Sequence, residues 1–216
     1  MDEELANINN DLNREKIFNF YNKNKKKILV FISICFITFF SFIFSKFYLE
    51  NKRSKLAEKY IEATLQVKSN NKEQGVLNLK KIINSNEPTY SSLALFFLIE
   101  EKLITDNKEI LKFYDQLINN NKFDVEMKNI LIYKKALSMF ENFSENEMIE
   151  TLKPIMNSES VLKSQTLLLL GDFFVSRENF IKAKDTYLSL ISNIEENNVY
   201  KVLAKNKIKK INGKIN

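Results

Sequence analysis

The sequence predicts an all-α protein: a single N-terminal transmembrane helix, then an α-solenoid of about four helix pairs with a C-terminal capping helix. Three observations carry that prediction. Ile28 to Ser45, ILVFISICFITFFSFIFS, is a run of eighteen residues without a charge. The chain has Gly 3 and Pro 2 against 44% hydrophobic residues, which leaves little to punctuate strands and turns. Beyond the run, apolar residues recur at three-and-four spacing in paired segments, at intervals of about 35 residues.

As a helix the run would be roughly 27 Å long, close to the ~30 Å hydrocarbon core of a bilayer. It is apolar all round, whereas the buried helix of a soluble core normally keeps a polar face. Lys46 interrupts the pattern, yet Phe47, Tyr48 and Leu49 resume it, and a lysine at that depth reaches the headgroups while its stem stays in apolar surroundings. The bilayer segment is therefore read as 28–49, with Lys25, Lys26, Lys27, Lys46 and Tyr48 at its boundaries. A removable signal peptide fits poorly. Twenty-seven residues precede the run, it exceeds the usual h-region, and only Ser45-Lys46-Phe47-Tyr48 follows where a small-x-small site is needed. Cys35 follows Ile34 and lies inside the run, so it reads as a lipid-facing or packing thiol, not a lipoprotein cysteine. A lone cysteine builds no disulfide framework.

Lys23, Lys25, Lys26 and Lys27 crowd the N-terminal flank, while Lys46, Lys52, Arg53, Lys55 and Lys59 follow the span. The denser cluster favours a cytoplasmic N-terminus and places the C-terminal body across the membrane. The chain then divides into a polar or amphipathic tail, 1–27, the span, 28–49, and a helical-repeat domain, 50–216. That last part, about 165 residues, suits one ordinary domain. The net charge of +6 comes with interleaved Glu and Asp, and the prevalence of Lys, Asn, Ile and Phe resembles the coding bias of an AT-rich genome. No basic stripe with stacking aromatics is present, so no nucleic-acid partner is expected.

Within the tail, Leu5, Ile8 and Leu12 allow a short amphipathic helix. After the span, Glu50 to Val67 keeps a helical pattern with Leu56, Tyr60, Ala63 and Val67 on one face. Ser69-Asn70-Asn71 forms a loop and N-cap cluster before a return helix from Glu73 to Ile83. Asn86-Glu87-Pro88 starts the second pair, because proline in a first turn loses no hydrogen bond. Tyr90 to Ile104 follows, then a return helix through Ile110, Tyr114 and Leu117 that ends at Asn119-Asn120-Asn121. The third pair covers Val125 to Phe140 and Glu145 to Ile155, with Pro154 bending or ending it. The fourth runs from Val161 to Val175, turns at Arg177-Glu178-Asn179 and returns along Ile181 to Ile194. A last helix, Val199 to Ile211, carries Val202, Leu203, Ile208 and Ile211 among lysines and reads as a polar-backed cap.

The fourth pair has the clearest packing pattern: Leu167, Leu170, small Gly171, Phe174, then Ala183 and Tyr187. Gly171 lets the first helix approach its partner closely and Ala183 lets the return helix cross there. Ile132, Ala136, Met139, Met148 and Leu152 occupy the equivalent slots about 35 residues earlier. The pattern resembles the tetratricopeptide repeat, although any antiparallel helical bundle shares the spacing. The order of parts sharpens the likeness: a tail with Asp11-Leu12-Asn13-Arg14-Glu15-Lys16, a lysine-flanked span, Tyr90-Ser91-Ser92-Leu93-Ala94 and Leu170-Gly171-Asp172. Together these resemble the bacterial inner-membrane tetratricopeptide-like family that serves as ancillary subunit of the Sec protein-export channel. Related repeat domains occur in a cell-division coordinator. The resemblance implies a bitopic protein whose periplasmic repeat domain associates with the translocon and with periplasmic chaperones.

Catalysis has little to work with. The chain has no histidine, which excludes histidine triads and histidine-ligated metals, and no glycine-rich phosphate loop. Glu100-Glu101 and Glu195-Glu196 are neighbours on helices, point in different directions and read as solvated. No catalytic residue, metal, cofactor or small-molecule substrate is expected; binding of proteins is. In a stack of helix pairs the first helix of each pair lines the concave face, which places Tyr133, Leu137, Phe140, Gln165, Leu168 and Asp172 as partner-binding candidates. Tyr133, Leu137 and Phe140 are either an exposed apolar patch or packed against the next pair, and the sequence leaves both open. Two functional classes follow: an adaptor at the export channel, or an envelope assembly or division scaffold without a translocon link.

Overall fold

The computed structural model describes residues 2–120, 122–192 and 198–215, with side chains for all of these except 2–22, 28, 32, 214 and 215. Among the described residues every regular element is an α-helix: α1 Asp2–Lys68, α2 Lys72–Asn84, α3 Pro88–Glu100, α4 Asn107–Ile118, α5 Val125–Ser138, α6 Glu145–Met156, α7 Lys163–Ser176, α8 Phe180–Ser192 and α9 Val199–Ile215. The chain forms two compact units, Met1–Lys55 and Leu56–Asn216. α1 is continuous through the expected boundary at Leu49 and contributes to both. The predicted amphipathic face of Leu5, Ile8 and Leu12, the end of the fourth return helix at Ile194, and Glu195-Glu196 lie outside the described side chains.

In the first unit, the apolar side chains described between Leu29 and Leu49 are exposed, so this run is not the buried helix of a protein core. It is the one helix among the described residues long and apolar enough to cross a membrane. Its polar side chains are satisfied locally: Ser33 Oγ donates to the Leu29 carbonyl at 2.9 Å and Thr38 Oγ1 to the Cys35 carbonyl at 2.9 Å. A hydroxyl bonded this way adds no unsatisfied donor to an apolar surround.

In the second unit, helices pair through short turns and bury one face each. α1 and α2 meet at Gly75, where an added Cβ would lie 2.7 Å from the Val67 amide nitrogen and 2.8 Å from the Ala63 carbonyl oxygen. α2 joins α3 through buried Ser91, whose Oγ donates to the Ile82 carbonyl at 2.8 Å and accepts the Glu87 N–H at 3.0 Å. Asn71 stands at the N-cap of α2 as expected, but its side chain makes no capping bond. Asp106, Asp124 and Ser144 do cap α4, α5 and α6, the last as a full capping box with Glu147.

Three helices stop earlier or start later than the apolar pattern suggested: α3, α7, and α5, which ends at Ser138 and not Phe140. α3 ends at Glu100 because Lys102 adopts φ 52°, and the Leu103 and Lys102 N–H groups turn back to the Leu98 and Ile99 carbonyls. Glu178, at φ 59°, closes α7 in the same way, through Asn179 to Phe174 and Glu178 to Val175. α7 begins at Lys163, not Val161, since the Ser160 hydroxyl and carbonyl hold the preceding turn. Pro154 does not end α6, which runs to Met156 with the proline in its last turn.

Consecutive pairs are tied at the spacing of the sequence repeat. Ser160 Oγ donates to Glu126 at 2.8 Å across 34 residues, Arg177 donates to the Glu141 carbonyl at 2.9 Å across 36, and Lys182 pairs with Glu145 across 37. The core is continuous from Leu56 and Ala63 on α1 to Ala204 and Ile211 on α9. The capping helix differs from expectation. Ile211 is buried and Ile208 packs against the core, but Val202 and Leu203 face outward and are exposed, so its back is apolar near its start.

Candidate partner-binding face

The first helices of the pairs, α3, α5 and α7, together with α9, lie side by side, and their cross-links define one face. Lys134 on α5 reaches α3, with Nζ 3.8 Å from Glu100 Oε1 and 5.5 Å from the centre of the Phe96 ring. Phe140, just past α5, meets Phe173 on α7 edge to face at 5.5 Å. Lys207 on α9 pairs with Asp172 on α7 at 2.6 Å.

On that face three aliphatic side chains stay in contact with solvent: Leu93 on α3 at 40%, Ile130 on α5 at 36% and Leu137 on α5 at 40%. Ile130, Lys134 and Leu137 follow each other at four-and-three spacing, hence on one side of α5. Leu93, Phe96 and Glu100 do the same on α3. Because Lys134 touches both Phe96 and Glu100, the two ridges adjoin, and Leu93, Ile130 and Leu137 border one strip. Lys134 and Glu100 supply one charge of each sign beside it.

The structure distributes the sequence-derived candidates differently. Leu137 is on the strip. Tyr133 is half-buried, and its hydroxyl is pushed above the ordinary tyrosine range by burial first, then by Tyr200 and Asp172. Those neighbours belong to α9 and α7, so Tyr133 is a contact between pairs. Phe140 is also half-buried against Phe173, with its carbonyl 3.5 Å from Arg177. An exposed patch of Tyr133, Leu137 and Phe140 does not form, because the next pair covers its two aromatics. Gln165 and Leu168 are half-buried on α7. Asp172 is engaged internally, accepting the Tyr187 hydroxyl at 2.5 Å and pairing with Lys207. A carboxylate held by two partners is poorly placed to receive a third.

The packing residues Leu167, Leu170, Gly171, Phe174, Ala183 and Tyr187 are all buried, as are Ile132, Ala136, Met139, Met148 and Leu152 in the preceding pair. The boundary residues Lys25, Lys26, Lys27, Lys46 and Tyr48 are exposed, and Lys46 Nζ lies 4.8 Å from the Phe42 ring centre. Leu93 and Ile130 stand outside the sequence-derived set, although both lie on the side opposite the buried residues of their helices.

Elsewhere, a groove of about 410 Å³ opens between α1 and α2, lined by Leu56, Lys59, Glu62, Asn78, Lys81, Ile82 and Ser85. Only Leu56 and Ile82 of its lining are apolar, unlike the mostly hydrophobic wall of a typical small-molecule site. Among the described residues no group of three His, Cys, Asp or Glu side chains is placed to hold a metal. No protein-family model, characterised protein or solved structure matches the chain.

Proposed function

We propose that this chain is a membrane-tethered adaptor whose helical-repeat unit binds protein partners at the bacterial Sec export channel, along with periplasmic chaperones. Adhesion, not catalysis, is its activity in this reading. The observation that carries the binding role is the strip of Leu93, Ile130 and Leu137, left in solvent on helices whose opposite sides are fully packed. Exposed aliphatic groups beside a charge pair suit a partner helix or extended peptide with a matching apolar edge. The apolar run of α1, exposed along its described length, supports the tether. The lysine cluster at Lys23 to Lys27 supports a cytoplasmic N-terminus and a periplasmic repeat unit. What directs the reading to the export channel is the order of parts in the sequence.

The test is photo-cross-linking in native bacterial membranes from a reactive residue at Leu137, with Ile181 on α8 as an exposed control position. Recovery of channel subunits from 137 and not from 181 is the expected result. Recovery only of division or envelope-assembly proteins would favour the scaffold role, and equal capture at both positions would remove the strip from consideration. A periplasm-active reporter fused after Asn216 checks the orientation; silence there with an active cytoplasmic reporter would reverse it.

A further inference from the structure

α9 packs through Ala204 and Ile211, with Tyr200 and Ile208 beside them. At 100° per residue, Val199, Val202, Leu203, Asn206, Lys209 and Lys210 fall on the opposite side, and all six are exposed. The aliphatic members are 62%, 51% and 40% exposed in turn. A terminal helix of a repeat stack normally turns a polar back to water. This one turns three aliphatic side chains outward near its start and lysines near its end.

We propose that this outward face is a docking surface for an anionic lipid bilayer. Charge selects the occupant: α9 reads VYKVLAKNKIKKINGKI, with six lysines and no acidic residue. A second copy of the same face would bring more lysines to the contact and no acidic residue to answer them, which costs free energy. Anionic headgroups would match the ammonium groups of Lys209 and Lys210, while Val199, Val202 and Leu203 enter the acyl boundary beneath. The inference rests on the reading of α1 as a membrane tether, because a tether holds the repeat unit at a high local concentration of bilayer. Under that condition a weak, electrostatically selected contact is populated.

The experiment uses the full chain with Cys35→Ser and Asn206→Cys, labelled at 206 with an environment-sensitive fluorophore. It is reconstituted into phosphatidylcholine vesicles with or without phosphatidylglycerol, both containing quenchers on the acyl chains. Carbonate-resistant flotation is read first, and failure to insert would count against the tether. With insertion secured, the label should be quenched in the anionic vesicles and wet in the neutral ones, and salt should reverse the quenching. Lys209→Glu with Lys210→Glu should lower the docked-to-free ratio at least about tenfold. A label equally wet in both lipids overturns the proposal. Shielding that ignores lipid charge and grows with protein density also overturns it, and assigns the face to a second copy.

Discussion

Gly171, Tyr187, Asp172 and Lys207 form the tightest knot in the repeat unit. A methyl group on Gly171 would fall inside van der Waals contact of the Tyr187 ring, which is fully buried and held at its hydroxyl by Asp172. The ring has no room to retreat. Gly171→Ala should therefore destabilise the unit by about 1–3 kcal/mol, measured by urea unfolding of the full chain in detergent. Combining it with Tyr187→Leu should cost less than the sum of the two single changes, since both act on one contact. Tyr187 also makes the unit sensitive to base. Its hydroxyl is pushed up by burial and then by Asp172, and Tyr114 is pushed up to about 12, chiefly by burial. A raised folded-state value means the stabilisation is complete below pH 10, where unfolded tyrosine titrates, and is lost as pH rises from there through the folded values. Unfolding midpoints should fall above pH 10, and Tyr187→Phe should flatten that fall. Close approach at Gly171 was readable in the sequence, although the residue set opposite it there was Ala183 and the structure brings up the Tyr187 ring. The Asp172 hydrogen bond was not, because it depends on where Asp172, half-buried on α7, comes to lie against α8.

Between elements, Arg177 is the residue whose role sequence pattern did not expose. It reads there as part of a turn after α7. In the structure its guanidinium lies 5.1 Å from the centre of the Phe173 ring and donates to the carbonyls of Glu141 at 2.9 Å and Phe143 at 3.2 Å. Those carbonyls lie in the turn between α5 and α6, outside the ladder of either helix. The carbonyl bonds all come from one nitrogen, Nη2, while the planar guanidinium also faces the ring, a combination of reach and stacking that the compact ammonium of lysine does not reproduce. Arg177→Ala should cost about 1–2 kcal/mol, a value set low because the side chain is exposed, and Arg177→Lys should recover little of it. Thermal unfolding of the three proteins side by side checks this. Helix existence was legible throughout, because each segment carries its own apolar stripe. Helix ends were less so. Lys102 stands in a left-handed conformation where glycine is the usual sign, so the stop signal of α3 is absent from the sequence; the turn after α7 was legible at Arg177-Glu178-Asn179 although Glu178 takes the same conformation.

For the molecule as a whole, surface and core exchange roles relative to the apolar pattern. Leu93→Asp with Leu137→Asp should leave the helical signal unchanged and weaken partner capture about tenfold or more, as measured by cross-linking yield. Tyr133→Ala with Phe140→Ala should instead destabilise the unit by about 2–4 kcal/mol, since both rings pack between pairs. The uncharged run, the scarcity of Gly and Pro and the apolar periodicity together determined the all-α class, the long apolar helix and the interval of about 35 residues, because backbone hydrogen bonding and the apolar pattern are local properties of a segment. Which apolar residues remain in solvent was decided only by tertiary structure. Exposure depends on the neighbouring pair: α7 covers Phe140, Leu93 and Ile130 stay more than a third exposed, and α9 keeps Val199, Val202 and Leu203 on its outward side.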